Sequence, residues 1–183
     1  MTARTYKHQF VSSPTHPTKH KEKSFTEYIT CYDSPLGPLT LSADEEGLTG
    51  ISFSAPSVVT DDNAVLAQTK HWLDTYFRGE APDPASIPLH LKGTPFQLLV
   101  WNRLLSIPYG KSITYGELAR EAARCLGKRA MSAQAIGGAV GRNPIPILVP
   151  CHRVLGSRPR LTGYTGGLHI KIWLLTHEGC PFR

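Results

Sequence analysis

Residues 143–156, NPIPILVPCHRVLG, set a cysteine, a histidine and an arginine side by side after an apolar run bracketed by prolines. A cysteine in apolar surroundings is ordinarily inert packing, and it becomes a nucleophile only where a base or cation gives it thiolate character. Cys151 and His152 would point apart in a strand, but a turn at Pro150 lets them converge, directly or through a water. A histidine base is usually oriented by a carboxylate, and residues 93–183 offer only Glu117, Glu121 and Glu178. Glu117 is engaged by the capping box Thr114-x-x-Glu117, and Glu121 lies one turn along the same exposed face. That leaves Glu178, at the end of LHIKIWLLTHEG, as the best third member; its competing reading is a solvated helix-end carboxylate. The chemistry these residues imply is attack by a sulfur nucleophile.

The elements that must position them fall into three stretches. Residues 1–24 are polar and rich in His, Lys, Pro and Ser without apolar periodicity, and read as a flexible basic tail in which His8, His16 and His20 lack a metal-site partner set. Residues 25–92 form an N-terminal α/β unit. Its FTEYITCYDSPLGPLTLSADEEGLTGISF predicts a small antiparallel meander broken at DSPLGP and DEEG. A helix follows, with Val65, Leu66, Thr69, Trp72, Leu73, Tyr76 and Phe77 on its apolar stripe and Gly79 closing it. The aromatics Trp72, Tyr76 and Phe77 read as core.

Residues 93–183 form the second unit. Thr94 caps and Pro95 opens a helix that stops at Pro108 and Gly110. TYGELAREAARCLG and SAQAIGGAVGRNP predict two short helices joined by the basic turn LGKRAM, a helix-turn-helix pattern. The second is built almost wholly of Ala and Gly, although each interior glycine costs about 1 kcal/mol relative to alanine. Such a face permits close approach, either of a neighbouring helix or of nucleic acid.

Charge separates the two units. Residues 1–92 carry eight Lys/Arg against eleven Asp/Glu, net −3, whereas residues 93–183 carry twelve against three, net +9. A basic half nearly free of carboxylates is the footprint of a polyanion binder. No apolar run approaches the ~20 residues a membrane span needs, and MTARTYKHQF lacks a signal-peptide core, so a cytoplasmic protein is expected. Cys31, Cys125, Cys151 and Cys180 are scattered without C-x-x-C spacing, which favours free thiols over disulfides or a metal site.

The segments GTPFQLLVW, IPYGKSITYGELA, AIGGAVGRNPIPILVPCHRVLG, LTGYTGGL and KIWLLTHEG resemble the O6-alkylguanine-DNA alkyltransferases, also called methylated-DNA-protein-cysteine methyltransferases; DSPLGPLTLS and GLTGI extend the likeness into the first half. The resemblance implies an α+β fold: a ribonuclease H-like N-terminal sheet with a helix, then a winged-helix or helix-turn-helix-type alkyltransferase domain. It implies direct-reversal DNA repair, in which guanine is flipped from the duplex and its O6 alkyl group moves irreversibly to the protein, once per molecule and without a cofactor. By position, Cys151 is then the acceptor, His152 its base through a water, and Glu178 the group orienting His152. Tyr115 would donate a hydrogen bond to the base, and Asn143 would be the hinge between the small-residue helix and the cysteine segment. Pro146, the Val154 main chain, Tyr164 and the Thr165 N–H would line the pocket. Gln134, Ala135 and Gly137 would face DNA, with Lys111, Arg124, Lys128, Arg129 and Arg142 on phosphates. The implied partner is double-stranded DNA containing O6-alkylguanine, with O4-methylthymine as a further candidate substrate, bound by a monomer away from any membrane, at the nucleoid or, in a eukaryote, in the nucleus.

Two departures stand out. Many relatives insert an arginine into the base stack where this chain has Gln134, which predicts slower or weaker flipping. Animal relatives bind a structural zinc in the first domain, whereas the matching cysteine positions here are Phe25 and Asp44, which predicts no zinc. Lesion-flagging relatives carry tryptophan in place of the cysteine, so Cys151 argues against that reading. Methyl-sensing regulators carry an extra cysteine-rich domain for which this chain has no room, and a cysteine hydrolase would need an oxyanion hole that the sequence does not offer.

Overall fold

The computed structural model describes residues 26–157 and 161–182. The basic tail at 1–24 and Phe25 lie outside the described residues. Three antiparallel strands, β1 (Tyr28–Ser34), β2 (Gly37–Ala43) and β3 (Leu48–Ser52), form the meander in the order β1-β2-β3. Alternation along β2 turns Leu39, Leu41 and Ala43 inward, each fully buried. Helix α1 (Ala64–Phe77) covers that face. Asn63 caps it by accepting from Leu66 N at 2.8 Å, and Gly79 leaves it at φ +85°. Its buried residues are Leu66, Thr69, Trp72, Leu73 and Tyr76, the 3.6-residue spacing of an amphipathic helix.

The second half is helical. Helix α2 (Pro95–Leu105) and helix α3 (Tyr115–Cys125) each start with a complete capping box, Thr94 with Gln97 and Thr114 with Glu117. Ser132 caps α4 (Ala133–Gly141). The small residues of α4 let it sit tightly in its surroundings: Trp101 Nε1 of α2 donates to Ala139 O at 2.9 Å, and a Cβ added at Gly137 would touch the Tyr115 ring at 3.9 Å. After α4 the chain runs through an irregular buried segment to a 3₁₀ turn at Cys151–Arg153. Strand β5 (Val154–Leu155) then pairs in parallel with β4 (Ile113–Thr114), and α5 (Leu168–His177) ends the fold.

One hydrophobic core joins the halves, running from Leu39, Trp72 and Tyr76 to Val100, Trp101, Ile145 and Cys151. Backbone and aromatic contacts reinforce the joint. Ile51 N donates to Pro144 O at 2.9 Å, His177 Nε2 meets Tyr76 O at 2.8 Å, and Phe77 meets Trp173 at 5.8 Å between centroids. The cysteine segment therefore rests against the sheet of the other half. Within it, buried Ile147 adopts φ 75°, a left-handed conformation that strains a β-branched residue by roughly 1–3 kcal/mol. The bond from Val149 N to Ile145 O at 2.9 Å spans the kink and holds it.

Candidate active site

The turn expected at Pro150 is the 3₁₀ turn, and it sends the Cys151 and His152 side chains into the interior with 5 % and 0 % of their surfaces exposed. Asn143 organises the approach. Its Nδ2 donates to Val149 O at 2.7 Å and to Cys151 Sγ at 3.0 Å, while its Oδ1 accepts from Ile145 N at 3.1 Å. One buried amide thus ties the end of α4 to the cysteine segment, the hinge position expected of it. Burial pushes the Cys151 thiol up, and bonds from Asn143 and Tyr164 and the charge of Lys171 pull against that rise without cancelling it. The resting group is a thiol that needs a base.

The histidine expected to serve is held by a carboxylate. His152 Nε2 lies 2.8 Å from Glu178 Oε1, with Glu178 at the C-terminal cap of α5, the contact a third member would make. Burial lowers the His152 pKa, while the bond to Glu178 pulls it back. Burial alone would raise Glu178, but bonds from His152 and Arg153 outweigh it and hold the carboxyl well below the usual carboxylate range. Glu178 is a buried anion satisfied from several sides. Arg153 donates Nε to Oε2 at 2.8 Å and NH2 to Oε1 at 2.9 Å; Tyr76 donates its hydroxyl to Oε1 at 2.7 Å; Gly110 N donates to Oε2 at 3.3 Å. Gly110 is there for a steric reason, since at φ +69° an added Cβ would meet Glu178 O at 2.8 Å. Glu117 stays in its capping box and Glu121 pairs with Arg103 at 2.7 Å, as elimination had required. His152 Nδ1 is buried with no protein partner among the described residues.

A cavity of about 300 Å³ opens over Cys151, lined by Tyr115, Gly137, Val140, Gly141, Gly163, Tyr164 and Thr165. That is the small end of the ~300–1,000 Å³ typical of ligand sites, fitting one planar group. Thr165 Oγ1 donates to Gly141 O at 3.0 Å and pins the roof loop to α4. Phe53 supports that loop from the sheet side. Its ring is 6.0 Å from that of Tyr164, and a Cβ at Gly166 would lie 2.6 Å from Phe53. The Tyr164 hydroxyl, without an oxygen or nitrogen partner among the described residues, lies against the Cys151 sulfur. Burial raises the pKa of both Tyr115 and Tyr164, which keeps them neutral donors.

Cys151, Tyr115, Gly137, Tyr164 and Thr165 therefore converge on one cavity, with Asn143, His152 and Glu178 behind it. Pro146 and Val154 are buried outside its lining, and the Val154 carbonyl accepts from Lys171 Nζ at 2.7 Å. Gln134 and Ala135 are exposed on the first turn of α4 and do not line the cavity. Arg124, Lys128 and Arg129 line a groove of about 700 Å³ between α3 and α4, joined by Arg120. Lys111 and Arg142 are exposed elsewhere, Arg142 folding back onto Gly138 O at 3.2 Å.

Four of these side chains lie outside the sequence expectation: Arg120, Arg153, Lys171 and Tyr76. Lys171 did carry a signal, a charge on the apolar stripe of Ile170, Leu174 and Leu175. It is fully buried, and burial lowers its pKa to about 8. Arg153 was visible as the neighbour of Cys-His, but its role was not. No pattern in the sequence points from Tyr76 to residue 178.

Comparison with known proteins bears on both halves of the chain. Residues 95–180 match the family model "6-O-methylguanine DNA methyltransferase, DNA binding domain", and residues 28–91 match "6-O-methylguanine DNA methyltransferase, ribonuclease-like domain". The methylated-DNA–protein-cysteine methyltransferase of Methanosarcina acetivorans is 40 % identical over 159 residues, covering 83 % of this chain and 98 % of that one. The protein of that name from Haemophilus influenzae is 39 % identical over 162 residues, covering 85 % and 88 %. Among solved structures, O6-methylguanine methyltransferase of Mycobacterium tuberculosis superposes with a TM-score of 0.72 at 39 % identity, covering 84 % of this chain and 93 % of that one. The structure of the M. tuberculosis protein in complex with DNA gives a TM-score of 0.71, also at 39 % identity, covering 84 % and 95 %. By sequence and by both halves of its fold, this chain belongs to the methylated-DNA–protein-cysteine methyltransferases.

Proposed function

We propose that the protein repairs DNA by taking the alkyl group from the O6 atom of a flipped-out guanine onto Cys151, acting as a monomer and once per molecule. The observation that carries this reading is the placement of the Cys151 thiol at the floor of a base-sized cavity, with His152 and Glu178 hydrogen-bonded behind it. The exposed first turn of α4 and the cationic groove beside the cavity are where a duplex would lie. A base removed from the stack needs a snug site of this kind.

In the reaction the Cys151 sulfur attacks the alkyl carbon in line with the C–O6 bond. The S–C bond forms as the C–O6 bond breaks. The thiol proton passes to His152 through a water bound at Nδ1, a buried polar atom that needs such a partner. Glu178 holds the imidazole by Nε2 and stabilises the cation that forms. The electron pair from the broken bond goes onto guanine, which leaves as a neutral base by taking the Tyr115 hydroxyl proton, and the proton held on His152 returns through solvent to Tyr115, restoring both groups. Buried Lys171 adds positive potential near the developing thiolate. The thioether is stable, and no cofactor enters the balance.

The test is stoichiometry. Duplex DNA carrying O6-[³H-methyl]guanine is mixed with limiting protein, and protein-bound label is counted. The reading requires label to stop at one methyl per chain, with Cys151→Ala binding the duplex but taking none. Turnover beyond one, or label retained in Cys151→Ala, would exclude it.

A further inference from the structure

Beyond the groups that the cysteine chemistry needs, the buried Glu178 carboxylate accepts a bond from the other half of the molecule. Tyr76, on α1, is fully buried and donates its hydroxyl at 2.7 Å to Oε1, the same oxygen that lies 2.8 Å from His152 Nε2. The two residues are 102 positions apart in the chain. The ring has no freedom to turn away. Trp72 stacks on it at 5.5 Å, Phe77 and Tyr109 meet it edge-on at 5.3 and 6.0 Å, and its own carbonyl oxygen is engaged by His177 Nε2 at 2.8 Å. A phenol held this firmly is a fixed donor rather than a filler of space. We propose that Tyr76 is a positioning residue that sets the basicity of His152 through Glu178, so that the N-terminal half supplies part of the acid–base machinery of alkyl transfer. The inference rests on the function proposed above.

The physical argument is competition for one oxygen. Three donors share Oε1, His152 Nε2, the Tyr76 hydroxyl and an Arg153 terminal nitrogen, and each polarises it away from the others, so the Tyr76 bond weakens the hold of Glu178 on an imidazolium. Removing the phenol concentrates charge on the His152 contact and makes the imidazolium harder to deprotonate. The other groups facing the pair do not replace it. Arg153 already gives two bonds to the carboxylate and a third, from NH1, to Ile107 O at 2.6 Å. Tyr109 and Cys180 act on Glu178 through charge without a bond to it; Lys171 acts on His152 through charge; His177 is committed to the Tyr76 carbonyl.

The experiment is the pH dependence of single-turnover alkyl transfer to full-length protein, with thermal melting in parallel. In Tyr76→Phe, which keeps the ring, the low-pH limb of the rate should move up by about half a pH unit or more, the size expected for one lost hydrogen bond at a carboxylate–imidazole pair. Placing 3,5-difluorotyrosine at position 76, a stronger donor, should move the same limb down, and it keeps the test decisive should the phenylalanine variant fold poorly. Opposite shifts are something a packing role cannot produce. Limbs that overlay wild type in the difluorotyrosine protein would overturn the inference, whatever happens to the melting temperature. If wild type itself transfers no alkyl group, the function proposed above has failed instead.

Discussion

Each half of the molecule buries one carboxylate against a histidine and a cation, and the two clusters differ in what lies behind them. Asp44 accepts from Lys92 Nζ at 2.8 Å and faces His90 Nδ1 at 2.8 Å; Glu178 faces His152 at 2.8 Å and accepts from Arg153 at 2.8 Å. In both, burial works to raise the carboxyl, and the bonds from the cation and the histidine win and hold it well down. Around Asp44, however, the partners reach solvent, with 58 % of the Lys92 side chain and 23 % of His90 exposed, and the carboxylate also accepts from Glu46 N and Gly47 N. It fastens the β2–β3 turn to the segment that follows α1. Around Glu178 the His152 side chain is 0 % and Arg153 7 % exposed, and the residue before His152 in the chain is a buried cysteine that lines a cavity. A carboxylate, a histidine and a cation together therefore do not mark an active site. What sets the Glu178 cluster apart is complete burial and a cysteine, next to the histidine in the chain, that lines a cavity.

This contrast can be broken at several points. The largest effect should come from Cys151→Ser, which keeps size and packing: alkyl transfer should fall below detection while binding to alkylated duplex, followed by fluorescence anisotropy, is retained. Next come the two carboxylates. Glu178→Gln should slow transfer by about 10²–10⁴-fold, the range seen when a base loses its orienting or proton-accepting partner. Asp44→Asn should leave the transfer rate within about twofold and instead lower stability by about 1–3 kcal/mol in urea melts, the range for spoiling a buried charged hydrogen-bond set. Equal losses of rate in the two variants would erase the distinction drawn between the clusters.

Acid should act on both clusters through stability. Both carboxyl pKa values are lowered by folding, so their contribution is full above the ordinary carboxylate pKa of about 4 and is lost as the pH falls below it toward their folded values. His152 is lowered too, so its contribution is full above its ordinary pKa of about 6.5 and begins to erode below that, ahead of the carboxylates. Melting temperature followed from pH 8 to pH 3 should therefore decline in two stages, and His152→Gln should remove the upper one. The smallest effect belongs to the DNA face. Gln134→Arg should tighten binding and speed transfer by a few-fold; no gain would mean that Gln134 is not the residue entering the base stack. Contacts to roughly five phosphates by Lys111, Arg124, Lys128, Arg129 and Arg142 should give a log–log salt slope of about −4 to −5.

Local rules made most of the scaffold legible. Thr94, Thr114 and Ser132 cap helices where their spacing predicts, and the alternation of Leu39, Leu41 and Ala43 places the inner face of the meander. Glu178 could be reached by elimination because so few carboxylates exist in the basic half. What could not be read depends on tertiary proximity. Tyr76 sits on an apolar stripe and is core by every local rule, yet its hydroxyl ends on a carboxylate far along the chain, and nothing in a heptad or a motif encodes that meeting. The left-handed φ of Ile147 likewise runs against its residue type and is imposed by the packing of the cysteine segment. Lys171 lies between these cases: a lysine on an apolar stripe announces a buried charge without saying what it faces.

The central claim is that Cys151, and no other thiol, becomes the alkyl acceptor. It is tested most directly by incubating the protein with duplex DNA containing O6-methylguanine and weighing its proteolytic peptides. The account predicts the gain of one methyl on the peptide holding Cys151, with Cys31, Cys125 and Cys180 unchanged and the lesion converted to guanine. An unmodified Cys151 peptide beside an intact lesion, or a methyl on another cysteine, would contradict it.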